Sequence, residues 1–495
     1  MSKKIVVLYH RQPYDEIRKG DKLVFQEKDK PNGIIPLLKS FFSTIDSGTW
    51  IATSEVYENF TPPLRQHITL WESSANCILR RVPVSREDIH LFYHKTSKEG
   101  FWPILHTFPE KYRFDCIDWA NFVEVNKKFA KAAVDESDEN TIVWIHDYNL
   151  WLAPHFIRKM RPDITIAFFF HTPFPSPDIF NILPWSRQII ESLLCCDLLS
   201  FDIPRYVENF VSTAKSNFAV QIKKREKARN YLATRGTALS EPWLTRQMTY
   251  NGRLIKLDAF PEGTNCQQID KILGKESTLE KIKKIKGSMK GCKLIFSASR
   301  VDYIKGVGEL LECYERLLFN REDLLEKVAL FVVAVEPAKG ISAYQNLQTR
   351  IRYLVDRINT KFRTSLWEPV IYSDKPLSFE EMIAWFSVTD IMWVPSLRDG
   401  MNITCKEFVA VKKDSGGVLI LSEFAGASIE LHEAVLTNPY SPDSMDHSIT
   451  LALEMPLRDQ RVRMKKMYRT VLLSDISKWS RQLNDLRNLR PEVQI

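Results

Sequence analysis

Several protein classes are excluded by what this 495-residue chain lacks. No apolar run approaches the roughly 20 residues a membrane-spanning helix needs. The opening "MSKKIVVLYHR" has two lysines but too short an apolar stretch for a signal peptide, so none is expected. Only 8 cysteines occur, none at a metal-ligand spacing, and they read as reduced thiols of a cytoplasmic protein. Short-period repeats and low-complexity tracts are missing. So are an aspartate-rich phosphatase motif and a recognised nucleic-acid motif.

What is there fits a globular protein of two or three domains, with 44% hydrophobic and 26% charged residues. The net charge of +8 suits anionic ligands, and also non-specific, salt-sensitive attraction to nucleic acid. The densest basic runs, "KKREKAR" (223–229) and "KIKKIKGSMKG" (281–291), read as solvated helix faces.

Apolar runs alternate with amphipathic ones along both halves, the pattern of parallel sheets covered by helices. Strands are expected at "KIVVLYH", "TWIAT", "TIVWIHD", "ITIAFFFH" and "DLLSFD", then at "KLIFSAS", "KVALFVVAV", "PVIYS", "DIMWVP", "GVLILSE" and "AVLTN". The halves meet near "LDAFPEGTN" (257–265), where Pro261 and Gly263 suggest a hinge. This places one doubly wound domain in 1–262 and a second in 263–470, facing one another across a cleft.

In an open α/β sheet, ligands bind where strands end and helices begin. Five strand ends carry polar residues. "SASRVDYIKGVGEL" (297–310) puts Arg300 and Lys305 between a buried strand and a helix expected from about Val307. With the helix N-terminus, the two cations could hold a phosphate or diphosphate; as a pair they could equally form surface ion pairs. "VPSLRDGMNITCKEFVA" (394–410) ends its strand at Asp399 and Gly400. The N–H groups of Met401, Asn402 and Ile403 would then face an anion. Asp399 could accept from sugar hydroxyls, and Glu407 suits a ribose diol, although Asp-Gly is also a common turn. "FFFHTPFPSPDIF" carries His171 into a proline-stiffened loop, and "WIHDYNLW" places His146 and Asp147 at another strand end. Near the start, Arg11 ends the first strand, and Gly33 could let a loop approach a ligand or simply make a turn. "FYHKTSKEGFWPILH" (92–106) adds Tyr93 and Trp102, which could also be core residues.

"RVDYIKG", "LRDGMN", "HDYNLWLAP", "FFFHTPFPSPDIFNILP" and "LSEFAGASIEL" together resemble the trehalose-phosphate synthase family of retaining glycosyltransferases, over about residues 4–470. Within it, "YHRQPYDE", "KPNGI", "FYHKTSKEGFWPILH" and "LDAFPEGTN" are similar to the glucosylglycerol-phosphate synthase branch. The resemblance implies a GT-B fold, two Rossmann-like domains with the active site between them, and a terminal helix (471–495) packing back on the first. It implies retaining transfer of glucose from ADP-glucose to sn-glycerol 3-phosphate, releasing ADP, as in compatible-solute synthesis. Arg300 and Lys305 would hold the donor diphosphate, Asp399 the glucose and Glu407 the ribose. Met401 to Ile403 would bind phosphate through their backbone, Gly33 would close over it, and His171 would contact glucose. Arg11, Tyr93 and Trp102 would take the acceptor phosphate, with Asp147 and Trp50 near the acceptor hydroxyls.

Two departures bear on the acceptor. Trehalose-phosphate synthases have a serine–asparagine–arginine run where this chain has Tyr9-His10-Arg11, and two glycines where it has Asn32-Gly33. Glucose 6-phosphate is therefore the alternative acceptor rather than the expected one. A further family arginine falls in "VEPAKGISAY", where Lys339 is the candidate. No cofactor or metal is implied, since fixed cations serve the leaving group. The chain ends at "LRPEVQI" without room for a second catalytic domain, so a separate phosphatase is expected to act on the product.

Overall fold

The computed structural model describes residues 4–20, 22–26, 34–45, 47–56, 62–70, 75–233, 236–289, 291–336 and 342–476. Every run read as a strand is one, because these runs are short, rich in β-branched and aromatic residues, and bounded by turn formers. The first half supplies β1 (Lys4–Leu8), the hairpin β2 (Asp15–Lys19) and β3 (Lys22–Gln26), β4 (Gly48–Glu55), β5 (Arg65–Leu70) and β6 (Ala75–Val84). It continues with β7 (Thr141–His146), β8 (Thr165–Phe170), β9 (Leu198–Phe201), β10 (Gln221–Lys227), β11 (Trp243–Tyr250) and β12 (Arg253–Ala259).

All but the hairpin form one sheet, in the order β10-β11-β12-β9-β8-β7-β1-β4-β6-β5. The strands from β12 across to β6 run parallel, and β5, β11 and β10 add antiparallel edges. β7 and β8 are buried along their whole length, as a parallel sheet with helices on both faces requires.

The second half forms an all-parallel sheet of β13 (Lys293–Arg300), β14 (Val328–Val335), β15 (Val370–Ser373), β16 (Ile391–Val394), β17 (Val418–Ser422) and β18 (Val435–Thr437). Its order is β15-β14-β13-β16-β17-β18. One of its helices, Phe379–Val388, begins with a capping box: Ser378 Oγ accepts from Glu381 N, and Glu381 accepts from Ser378 N.

The chain divides into two compact units. The first holds the described residues of Met1–Ala233, Glu241–Glu262 and Ile476–Ile495; the second holds those of Thr234–Ser240 and Gly263–Asp475. The expected terminal helix lies outside the described residues beyond Ile476. In each sheet the chain winds outward in both directions from one strand. The first switch point lies between β1 and β7, the second between β13 and β16. Crevices at such points are where doubly wound sheets bind ligands.

Two local expectations differ from what is found. The basic run 223–229 is not a helix face: most of it is β10, an exposed edge strand. Lysine and arginine suit that place because charge discourages edge-to-edge pairing. The stretch around Leu257 is also more than a hinge, since it forms the end of β12, paired with β9.

Candidate active site

In the first unit, the residues after β1, β7 and β8 gather at the switch point. Arg11 follows β1, and its guanidinium donates to the Tyr93 hydroxyl. Its Cζ also lies 4.8 Å from the Tyr93 ring centroid. Among the described residues no carboxylate pairs with Arg11. The loop carrying it is bolted from behind. Gln12 Nε2 donates to Glu16 at 2.8 Å, and the buried Arg81 donates to the same carboxylate at 2.6 Å.

Asp147 follows β7 with φ 70° and ψ 163°, a region that side chains other than glycine's rarely occupy. Such strain costs on the order of 1–3 kcal/mol and gathers at functional sites. Its N–H donates to Phe169 O at 2.9 Å, which fixes the loop on β8. Burial raises the Asp147 pKa, opposed by nearby His171.

His171 follows β8. Burial lowers its pKa to about 4, so the ring is neutral. Its Nδ1–H donates to Glu262, and its Nε2 accepts from His146 Nδ1–H at 2.9 Å. Glu262 is in turn held by its own N–H, which donates to Asp202.

The His171 side chain is only 3% exposed with both nitrogens engaged, although the residue as a whole is half-buried. One expectation for this unit changes. Trp50 is 0% exposed, stacked on Phe42, and its indole N–H donates to Arg11 O at 3.0 Å. It therefore supports Arg11 and offers no surface to an acceptor. Glu262 was not singled out in the sequence, where it reads as part of a hinge; only the fold brings it to His171.

In the second unit, β13 ends at Arg300 and leads into the turn Tyr303–Lys305, capped by Asp302, which accepts from Ile304 N. Gly306 follows at φ +66°, and a Cβ there would collide with the Pro395 carbonyl. That close approach seats the turn on the loop after β16, where Leu397 N donates to Ile304 O at 2.7 Å. Lys305 thus meets Asp399, at 2.7 Å. Asn402 Nδ2 and Ser396 Oγ donate to the same carboxylate oxygen, at 3.0 and 3.2 Å. Arg300 stays 47% exposed, its nearest carboxylate being Asp302 at 4.0 Å.

The helix Ile403–Lys412 begins directly after this loop, with Asn402 as N-cap accepting from Cys405 N. Met401 is buried, and its carbonyl accepts from Ala427 N. Glu407, on the first turns of this helix, has its pKa raised to about 7 by burial. Behind it, Lys406 and Glu430 form a fully buried ion pair. Gly33 and Lys339 lie outside the described residues.

Two doubly wound units, each with charged residues at its switch point, are the components of a GT-B glycosyltransferase. A solved trehalose-6-phosphate structure from E. coli, bound with UDP-2-fluoro glucose, matches with a TM-score of 0.82 at 26% identity, over 99% of this chain and 100% of that one. The profile of Glycosyltransferase family 20 matches residues 3–488, and the chain belongs to that family. It is thus a retaining hexosyltransferase. A glucosylglycerol-phosphate synthase of Synechocystis sp. is 48% identical over 98% of this chain and 97% of its own length. Another, of Picosynechococcus sp., is 47% identical over the same shares. Among the described residues, no helix is long and apolar enough to cross a membrane.

Proposed function

We propose that the protein transfers glucose from ADP-glucose to sn-glycerol 3-phosphate with retention of configuration, giving glucosylglycerol phosphate and ADP. The observation that carries the reading is Arg11, a partly buried guanidinium whose partner is the Tyr93 phenol rather than a carboxylate. A cation withdrawn from water without a counter-charge favours an anionic ligand, and an acceptor phosphate supplies one. Much higher identity to the glucosylglycerol-phosphate synthases than to the trehalose-6-phosphate structure supports glycerol 3-phosphate as that acceptor. The latter's bound UDP-2-fluoro glucose supports a nucleoside-diphosphate glucose as donor.

In this reading Arg300 and Lys305 neutralise the leaving diphosphate, with the N–H groups of Met401, Asn402 and Ile403, and Gly33, helping to hold it. Asp399 takes glucose hydroxyls and Glu407 the ribose diol. Arg11, Tyr93 and Trp102 anchor the acceptor, and Asp147 orients its hydroxyl. The acceptor oxygen attacks on the face the diphosphate leaves. The C1–O bond to acceptor forms as the C1–O bond to phosphate breaks, and the hydroxyl proton passes to the departing phosphate. Preorganised charge at the leaving group and a fixed acceptor supply the rate. The product is a phosphomonoester, so a separate phosphatase must act for the free glucoside to appear.

The test is a kinetic comparison of glycerol 3-phosphate, glycerol and glucose 6-phosphate, each with ADP-glucose and UDP-glucose. Glycerol 3-phosphate with ADP-glucose should give the highest kcat/KM, and glycerol, without the anchor, very little. If glucose 6-phosphate is best, the acceptor assignment fails.

A further inference from the structure

The segment His90–Phe101 is a helix of wide turns, ending with Trp102 N–H donating five residues back to Ser97 O. Its buried residues, Phe92, Thr96, Ser97, Gly100 and Phe101, recur every four to five positions, matching that wider turn. The buried face is pinned: Asn149 Nδ2 donates to Ser97 Oγ at 2.8 Å, and Asp118 N donates to Thr96 Oγ1 at 3.0 Å. At 3.6 residues per turn, Tyr93 and Trp102 would point in opposite directions. With i→i+5 bonds each residue turns through only about 80°, so nine steps return to the same side. Lys98 then falls between them.

Lys98 Nζ lies 3.4 Å from the Trp102 ring centroid and 5.9 Å from that of Tyr93, the ring over which Arg11 also sits. The buried Trp102 indole N–H has no hydrogen-bond partner among the described residues. Lys98 is also near enough to favour the charged form of Asp147.

We infer that Lys98 is a specificity-determining ligand of the acceptor phosphate, acting with Arg11, Tyr93 and the Trp102 indole N–H, and that it favours a three-carbon acceptor. This rests on the acceptor proposed above. A phosphomonoester carries about 1.5–2 negative charges at neutral pH, which two cations match better than one. The ammonium lies against an aromatic face, and a phosphate on the same side would offer it a charged partner. A phosphate drawn to Lys98 lies toward Asp147. That suits glycerol 3-phosphate, whose hydroxyls are one and two carbons from the phosphate ester, and not a hexose 6-phosphate, whose anomeric hydroxyl lies across the ring.

The experiment compares wild type, Lys98→Gln and Lys98→Arg. In Lys98→Gln the KM for glycerol 3-phosphate should rise about 10- to 100-fold, the scale of one charged hydrogen bond. The donor KM should stay within about twofold, and the preference over glucose 6-phosphate should fall. Lys98→Arg should restore most of the loss. Glycerol 3-phosphate should raise the melting temperature of wild type but not of Lys98→Gln at the same concentration. If wild type uses glycerol 3-phosphate and Lys98→Gln keeps its KM, the role of Lys98 is overturned while the acceptor stands. If Lys98→Gln loses both KM values and stability together, Lys98 is structural and the inference fails. If wild type does not use glycerol 3-phosphate at all, the acceptor assignment itself has failed.

Discussion

Arg11 in the first unit and Lys305 in the second are held in opposite ways. In the first, Arg11 and Lys98 lie over aromatic rings, and among the described residues no carboxylate pairs with Arg11. In the second, Lys305 is tied to Asp399, whose carboxylate also takes Asn402 and Ser396. A cation held by a ring's quadrupole gives up little when an anion arrives. A cation in an ion pair must exchange one charged partner for another. On the proposed roles, an acceptor phosphate would meet Arg11 without displacing a carboxylate, whereas a diphosphate would have to displace Asp399 from Lys305 while finding Arg300 already open. That displacement would also release Asp399 to accept from glucose hydroxyls.

The largest effect should come from the exposed cation of the second unit. Arg300→Ala should lower kcat by about 10²–10³-fold, the scale of losing one preorganised charge stabiliser. Its melting temperature should hardly move, since the side chain is 47% exposed with a carboxylate no nearer than 4.0 Å. A folded variant with near-normal turnover would erase the donor half of the comparison.

Next comes Arg11→Ala. It should weaken glycerol 3-phosphate binding by about 10- to 150-fold. Donor binding should stay nearly unchanged, which calorimetric titration of each ligand separates. Equal losses for both ligands would show that Arg11 does not belong to the acceptor alone.

The smallest effect is a pH dependence confined to the donor. Glu407 has a folded pKa of about 7, raised by burial above the usual carboxylate value. A raised pKa means its contribution to stability is fully present below the unfolded value and is lost as pH rises through about 7. The loss is at most on the order of 3 kcal/mol, and Glu407→Gln should remove that slope from the unfolding free energy. Over the same range donor affinity should increase up to about tenfold, because the ionised carboxylate accepts both ribose hydroxyls. Glycerol 3-phosphate affinity should not follow this titration. A matching titration on both ligands would break the division between the units.

Much of the fold was legible because a strand buried on both faces is written as a continuous apolar run, as in "TIVWIHD" and "KVALFVVAV". The edge strands were not. β10 reads "QIKKREK", and an exposed edge has no apolar pattern to distinguish it from a charged helix face. Strand ends marked Arg11, Asp147, His171, Arg300 and Asp399 for the same reason that made the strands visible: the sheet needs its strands, and their carboxyl ends are where ligands can sit.

The sequence by itself determined two parallel sheets, the position of each switch point's residues along the chain, and a helix start within residues 401–404. Only the tertiary structure decided which of those residues face a ligand and which face one another. Trp50 looked like a ligand and is a prop for Arg11, because a neighbouring backbone carbonyl takes its only N–H. Glu262 looked like a hinge residue and holds His171, from 91 residues away in sequence. Lys98 was not singled out in the sequence. The buried hydroxyls of Thr96 and Ser97 and the packing of Gly100 against Ile117 accompany a wider turn. Helical pitch, set by what packs behind the helix, is what brings Tyr93, Lys98 and Trp102 to one side.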